Sequence, residues 1–288
     1  MTVRTKLDIH DKLPLTCSRT GTCCHGKLVL LNPWELAFIA KEKKITTREF
    51  RDQYCDYGGI RLHFNGKAGW KGQPACSQYI ENFGCSVHSG RPLSCRLFPL
   101  GRQIQSGNVH YMYEGTAFPC LDGCPEVTGL PHLTVEEYLS GQETAMFEKA
   151  QDEYLEVMQN LADIAFVLFL DSGLSASGEK ETLRQWRKLG NTLPETLVDF
   201  IGADWIDRLT LPEINDLESP GLFAARHNDL LQTKAQDQFG AIQTYQELHE
   251  ASVLMMAVAL QMARALGANP KDMAEHWIET AKQNGGLE

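Results

Sequence analysis

The stretch that decides the fold runs from Cys85 to Pro99 and reads Cys-Ser-Val-His-Ser-Gly-Arg-Pro-Leu-Ser-Cys-Arg-Leu-Phe-Pro. Two thiols and an imidazole are separated here by turn-forming Gly and Pro residues, and arginines lie beside them. Thiolate is a soft, charged ligand that suits zinc ions and iron–sulfur clusters, and turns allow several thiolates to converge. The stretch therefore predicts a metal site.

The remaining cysteines extend this pattern through the N-terminal half. All nine lie between Cys17 and Cys124. Nine is an odd number and no export signal is visible at the N-terminus, so we expect a cytoplasmic protein whose thiols stay reduced. Clustered cysteines in that setting indicate metal binding more than a disulfide framework.

The adjacent pair Cys23 and Cys24 bears on the kind of metal. Successive side chains diverge, so they do not easily take two corners of one tetrahedral ion. Two irons of a cluster, or two metal sites, would use them better, and we favour an iron–sulfur cluster over zinc while both remain open. Several thiolates also need nearby cations, which Arg19, Arg91 and Arg96 could supply.

These segments resemble the YkgJ-type cysteine-cluster family, which is named for a CxxCxxCC signature and described as chelating zinc or iron. The resemblance covers about the first 125 residues. The resemblance implies a metal-binding set of seven cysteines, with His88 as a further member. The cysteines are Cys17, Cys23, Cys24, Cys76, Cys85, Cys95 and Cys120. Similar proteins usually follow the last cysteine with Pro-Gly. In this sequence the cysteine that follows Cys120 is Cys124, and the Pro-Gly pair is absent after Cys120. Cys124 is either an added ligand or a substitute for one member of the metal-binding set.

Some family members resemble flagellin lysine N-methylases, which implies an enzyme that modifies protein lysines. This sequence has no Gly-x-Gly-x-x-Gly after a strand and no evident catalytic constellation in its second half, so catalysis stays open. The alternative is a non-catalytic protein with a structural zinc, whose acidic helical domain binds a protein partner. His88 could instead donate a hydrogen bond near the metal, and Cys55, outside the motif, is interpreted as a packed thiol.

The two halves of the chain differ in charge. Residues 1–130 hold 16 Lys and Arg against 11 Asp and Glu, whereas residues 131–288 hold 11 against 26. This asymmetry predicts a cysteine-cluster domain at 1–128 and an acidic α-helical domain at 129–288. The basic excess is spread along the first half, which argues against nucleic-acid binding. The longest apolar stretches are shorter than the roughly 20 residues of a membrane span.

Local patterns predict an α+β fold, with a small loop-rich metal domain followed by an all-α domain. In the first half we expect strands at 27–31 and 60–64, a helix opening at Pro33, and a hairpin over 102–113. In the second half, Thr134 and Glu137 form a capping box. Further helices are expected at 142–170, 179–189, 194–208 and 222–266, the last with a break near Gly240, and from Pro270. A core-facing stripe is expected at Leu248, Ala251, Met255, Val258 and Met262.

Overall fold

A computed structural model describes residues 5–13, 21–105, 107–113 and 132–288. Its strands are short. In chain order they are β1 (Thr5–Leu7), β2 (Lys12–Leu13), β3 (Cys55–Asp56), β4 (Arg61–Leu62), β5 (Phe64–Ala68), β6 (Pro74–Cys76), β7 (Tyr79–Ile80), β8 (Gly84–Cys85), β9 (Leu100–Gln105), β10 (Asn108–Tyr113) and β11 (Leu133–Thr134).

The helices lie mostly in the second half. They are α1 (Pro33–Lys43), α2 (Thr47–Tyr54), α3 (Leu93–Leu97), α4 (Val135–Gly141), α5 (Ala145–Phe166), α6 (Glu181–Gly190), α7 (Pro194–Ile201), α8 (Ala203–Thr210), α9 (Pro220–Phe239), α10 (Tyr245–Ala265) and α11 (Pro270–Gln283). The predicted α+β class, with strands early and helices late, is confirmed.

The chain divides into two compact units, and each draws on separated segments. The first unit comprises Met1–Val29, Phe38–Tyr54 and Leu62–Glu148; the second comprises Leu30–Ala37, Cys55–Arg61 and Lys149–Glu288. The boundary predicted at 128/129 lies outside the described residues.

The first unit contains a three-stranded antiparallel sheet in the order β1-β10-β9. Asn108 pairs with Gln105 and Tyr113 with Leu100, so the predicted hairpin is confirmed. The other sheets of this unit are two-stranded, formed by β2 with β11, β5 with β6, and β7 with β8. Its buried side chains include Phe50, Val87 and Tyr138. Regular structure is therefore sparse around the cysteines.

Two strand predictions in the first half are wrong. The run 27–31 is not a strand, because only Leu30 forms a bridge, with Arg61. β4, which lies opposite this run, is only two residues long, so a longer strand at 27–31 would have no partner along most of its length. The strand expected at 60–64 is divided into two. β4 ends at Leu62, and β5 begins at Phe64.

Helix predictions in the second half hold with one correction. The helix expected over 194–208 is two helices, because Gly202 has φ 82° and ψ 155° and leaves the helical conformation between α7 and α8. The break expected near Gly240 is confirmed, since α9 ends at Phe239 and α10 begins at Tyr245. The capping box of Thr134 and Glu137 is confirmed, and it begins the separate helix α4.

Helix α10 forms the centre of the second unit. The predicted stripe is buried, and so are residues of the other faces, including Val253, Ala257 and Leu260. A helix that is apolar on all sides is a core helix. Trp186, Phe223 and Trp277 are also fully buried in this unit.

One helical stretch, Ala145–Ser177, is long and apolar enough by length and composition to cross a membrane, with a mean hydropathy of 1.3 over its most apolar window. Within the second unit, Tyr154, Leu161, Ala165 and Phe169 of this stretch are buried. Packing in the core therefore accounts for these apolar positions.

Candidate metal centre

Cys23 and Cys24 lie together in a single 3₁₀ turn, Thr22–Cys24. Gly21 precedes the turn with φ 77°, a conformation that favours glycine. The turn is closed by the N–H of Cys24, which donates to the carbonyl of Gly21 at 2.9 Å. This tight turn keeps the two thiols close to each other.

Three further cysteines are placed by short elements of the same unit. Cys76 ends β6, Cys85 ends β8, and Cys95 lies in the middle of α3. Backbone contacts join these elements. His25 forms a bridge with Ala75, and Cys85 lies opposite Tyr79 in the β7–β8 pair. The first unit thus positions thiols from four separate parts of the chain.

The thiols of Cys23 and Cys24 are hydrogen-bonded to each other. The bond from Cys24 lowers the pKa of Cys23 to about 6, against an ordinary value of 9, and the same bond raises the pKa of Cys24. Burial also raises the pKa of Cys24, and so do the charges of Cys23, Cys95 and Cys85. Near neutral pH, Cys23 is therefore a thiolate that accepts the proton of the Cys24 thiol.

The other thiols belong to the same electrostatic group. Burial raises the pKa of Cys76 to about 11 and that of Cys85 to about 12, and the charge of Cys95 raises both further. Cys76 also raises the pKa of Cys85. Like charges shift one another's pKa only at short range in a protein. The charges of Cys23, Cys24, Cys76, Cys85 and Cys95 therefore form one interacting set in the first unit.

Two cations face this group of thiols. Lys27 lowers the pKa of Cys23 and of Cys76, and Arg91 lowers the pKa of Cys23 and of Cys85. Arg91 is one of the cations that the sequence predicts. Sequence reasoning misses Lys27, and the available signal is only its position three residues after Cys24.

Arg96 has a different environment from the one expected. Its side chain is 2% exposed, and it donates to the carbonyls of Arg91 at 2.9 Å, Gln142 at 2.7 Å and Ser89. The guanidinium also lies 3.9 Å from the ring centroid of Phe147. Arg96 fixes the backbone that precedes α3, the helix that carries Cys95, and joins it to Gln142. Arg19 lies outside the described residues.

His88 contacts Arg91. Its ring nitrogens lie 2.9 and 3.1 Å from Nη1 of Arg91, which also donates to the His88 carbonyl at 2.8 Å. Nη2 of Arg91 donates to Oε1 of Gln142 at 2.5 Å. This geometry places His88 beside the guanidinium of Arg91, and its role as a ligand stays a prediction.

The other four cysteines fall into two cases. Cys17, Cys120 and Cys124 are outside the described residues. Cys55 is half-buried in β3 and belongs to the second unit. The six cysteines that the structure describes are all present as thiols.

Donor chemistry tests whether these residues fit a metal. Five soft donors, two cations and a largely buried setting suit a thiolate-bound ion or cluster. Two buried polar atoms next to ligand candidates, Nδ1 of His25 and Oγ of Ser94, have no hydrogen-bond partner in the described part of the chain. Such groups are suited to hydrogen bonds with metal-bound sulfur. The residues therefore fit by type, burial and charge.

The described ranges do not contain a complete ligand set. Among them, no three His, Cys, Asp or Glu side chains are grouped so that they could hold one metal ion. Three of the nine predicted ligands are outside these ranges, so the ligand set stays a prediction.

Comparison with protein families bears on this group of thiols. Residues 16–113 match the family model described as "CxxCxxCC: Putative zinc- or iron-chelating domain". The predicted resemblance is confirmed. The CxxCxxCC match includes Cys17 and the five grouped thiols and ends before Cys120 and Cys124. No curated protein and no solved structure matches the chain.

Proposed function

We propose that the first unit is a thiolate metal centre that holds an iron–sulfur cluster or, alternatively, zinc. The ligands come from Cys23, Cys24, Cys76, Cys85 and Cys95. The remaining candidates are Cys17, His88, Cys120 and Cys124. The observation that carries this proposal is the placement of Cys23 and Cys24 in one 3₁₀ turn, within the segment 16–113 that matches a zinc- or iron-chelating family model.

The number of thiols favours a cluster. A single tetrahedral zinc ion takes four ligands, and the described group already has five. The members of the adjacent pair are suited to two different metal atoms, as a cluster or a pair of ions provides. An iron–sulfur cluster, when bound, supplies a one-electron couple whose potential depends on local charge and hydrogen bonds.

The protein's own residues have defined roles in this proposal. Lys27 and Arg91 offset the negative charge of the thiolates, and Arg96 holds the backbone that carries Cys95. Burial around Cys76 and Cys85 keeps water from the donors. Thiolate ligands need to be deprotonated, so these cations also favour the ligating form.

The test is metal and acid-labile sulfide content, with an absorption spectrum, of protein purified without air. Iron with sulfide and colour supports the cluster, whereas protein that binds neither iron nor zinc contradicts the proposal. The variants Cys23→Ser and Cys95→Ser should lose metal. Cys55→Ser is the matched control, because Cys55 lies outside this group and in the second unit. Wild-type metal content in both ligand variants would falsify the assignment.

A structural zinc is the second candidate. The cysteine segments of the first unit are held by two- and three-residue strands and single turns, and such small elements often need a cross-link. Colourless protein that contains zinc, and whose first unit unfolds when zinc is chelated, would favour this role.

Other parts of the proposal concern location and partners. The odd number of cysteines, nine, and their clustering support a cytoplasmic location. The acidic second half, with 26 acidic against 11 basic residues, supports a protein partner that presents lysines. Redox activity or lysine modification of that partner is tested by electron transfer and methyl transfer assays on metal-loaded protein.

A further inference from the structure

We propose that Lys27 is a positioning and charge-compensating residue of the thiolate centre, joining the Cys23–Cys24 turn to helix α3. This inference rests on the proposed function of the first unit. It names a residue that neither the cysteine motif nor the family description assigns.

The geometry comes from two contacts of the Lys27 side chain. Its ammonium donates to the carbonyl oxygen of Ser94 at 2.5 Å and lies 4.6 Å from the ring centroid of Phe98. Ser94 directly precedes Cys95, and Phe98 follows it by three residues. One side chain therefore links the backbone after Cys24 to both sides of Cys95.

The positive charge of Lys27 is held next to a proposed ligand. Its ammonium donates to the carbonyl oxygen of Ser94, the residue before Cys95 in α3. Several thiolates around a metal are strongly anionic, so a cation fixed at this helix offsets part of their negative charge.

The half-buried position of Lys27 strengthens this role. A cation that is partly removed from water interacts with nearby thiolates more strongly than an exposed cation does. An ammonium also carries three donors, and Ser94 uses one. The side chain can therefore hold α3 and still present positive charge to the thiols.

The experiment compares the full chain with three variants, each purified with its metal. Lys27→Gln removes the charge but keeps an N–H donor for Ser94, and Lys27→Arg keeps the charge. Lys67→Gln removes one charge from an exposed lysine of β5 in the same unit and is the matched control. Metal affinity is measured by competition with a chelator, and metal retention is followed against pH.

We expect Lys27→Gln to bind metal about 10- to 100-fold more weakly, the range for loss of a residue that supports metal ligands. Metal release on acidification should begin at a higher pH, because thiols without the cation hold their protons more strongly. Lys27→Arg should recover most of the affinity, and Lys67→Gln should resemble the wild type.

Equal metal affinity and equal pH profiles for Lys27→Gln and Lys67→Gln would overturn the inference. So would equal losses in Lys27→Gln and Lys27→Arg, because charge would then be irrelevant. Circular dichroism of each variant checks that it is folded; if Lys27→Gln is unfolded, Lys27→Met takes its place, because it also removes the charge. Failure of the proposed function looks different, since the wild type itself would then bind neither iron nor zinc.

Discussion

The hydroxyl of Tyr154 lies 2.9 Å from Nδ1 of His227, and both side chains are fully buried in the helical unit. Nε2 of the same imidazole lies 3.0 Å from the carbonyl of Arg208, which can only accept. Nε2 therefore carries the proton, and Nδ1 accepts the hydrogen bond from Tyr154. The pair joins α5, α9 and the end of α8 through a neutral imidazole.

This neutral imidazole predicts acid sensitivity of the second unit. Burial lowers the pKa of His227 to about 4 from 6.5, so the unfolded chain binds the proton first as the pH falls. The contribution of His227 to the free energy of unfolding is therefore fully present above pH 6.5. About 3 kcal/mol of it is lost as the pH falls from 6.5 to 4. Urea unfolding followed by helical circular dichroism at pH 7, 5 and 4 measures the loss.

The control for this prediction is a second histidine. His227→Gln should be less stable at pH 7 but should show a flatter dependence on pH between 6.5 and 4. His276→Gln changes an exposed histidine of α11 and should follow the wild type. If His227→Gln retains the full wild-type slope, another group is responsible.

Alkylation of metal-free protein should be selective for Cys23. Its pKa of about 6 makes it mostly thiolate at pH 7, whereas the raised pKa values of Cys76 and Cys85 keep those thiols protonated. Since the thiolate is the nucleophile, the rate at Cys23 should fall only below about pH 6. Peptide mass spectrometry after brief iodoacetamide treatment at several pH values measures each rate.

Cys24→Ala tests the cause of this selectivity. The variant removes the hydrogen bond that contributes most to the low pKa of Cys23, so the rate profile should move to higher pH. An unchanged profile would mean that Lys27 and Arg91 set the pKa alone.

Arg96→Lys should destabilise the first unit by about 2 kcal/mol or more. Lysine cannot reproduce the planar set of donors that reaches the carbonyls of Arg91, Gln142 and Ser89, so buried carbonyls lose their partners. Metal content should also fall, because α3 carries Cys95. Thermal unfolding and metal analysis measure both effects. Arg48→Lys, at an exposed arginine of α2, should change neither.

Gly69→Ala should disturb the turn that follows Cys24. A Cβ on Gly69 would overlap Cδ2 and Nε2 of His25, whose ring packs edge-on against Tyr79 at 4.5 Å between centroids. We expect a loss of about 1–3 kcal/mol, as for other overpacked sites. Gly141→Ala is the matched control, since its Cβ meets nothing within 4 Å. Equal unfolding midpoints for the two variants would contradict this prediction.

Local signals in the sequence predict much of the fold. The capping box of Thr134 with Glu137 begins α4, and β9 and β10 form the hairpin expected over 102–113. These features depend on residues close together in the chain. The strand expected at 27–31 fails because strand pairing depends on a distant partner, which here is only two residues long.

In the candidate site, too, features that depend on neighbouring residues are predicted from the sequence, and features that depend on distant residues are not. Spacing and residue type predict that the thiols after Gly21 and around Arg91 belong together as metal ligands, and this assignment stays a prediction. The contact of Lys27 with Ser94 joins residues 67 positions apart, so local sequence does not predict it. The split of the 194–208 helix needs the backbone angles of Gly202, which the apolar pattern does not encode.

The second unit also includes two pieces of the N-terminal half. Trp34 donates to the carbonyl of Leu217 at 3.1 Å, and Gln261 donates to that of Tyr57 at 2.8 Å. A fragment that begins after residue 131 would lack both pieces and would expose the helices that they cover. No single cleavage of the backbone therefore releases an intact helical half, and any expressed fragment of it needs residues 30–37 and 55–61 supplied with it.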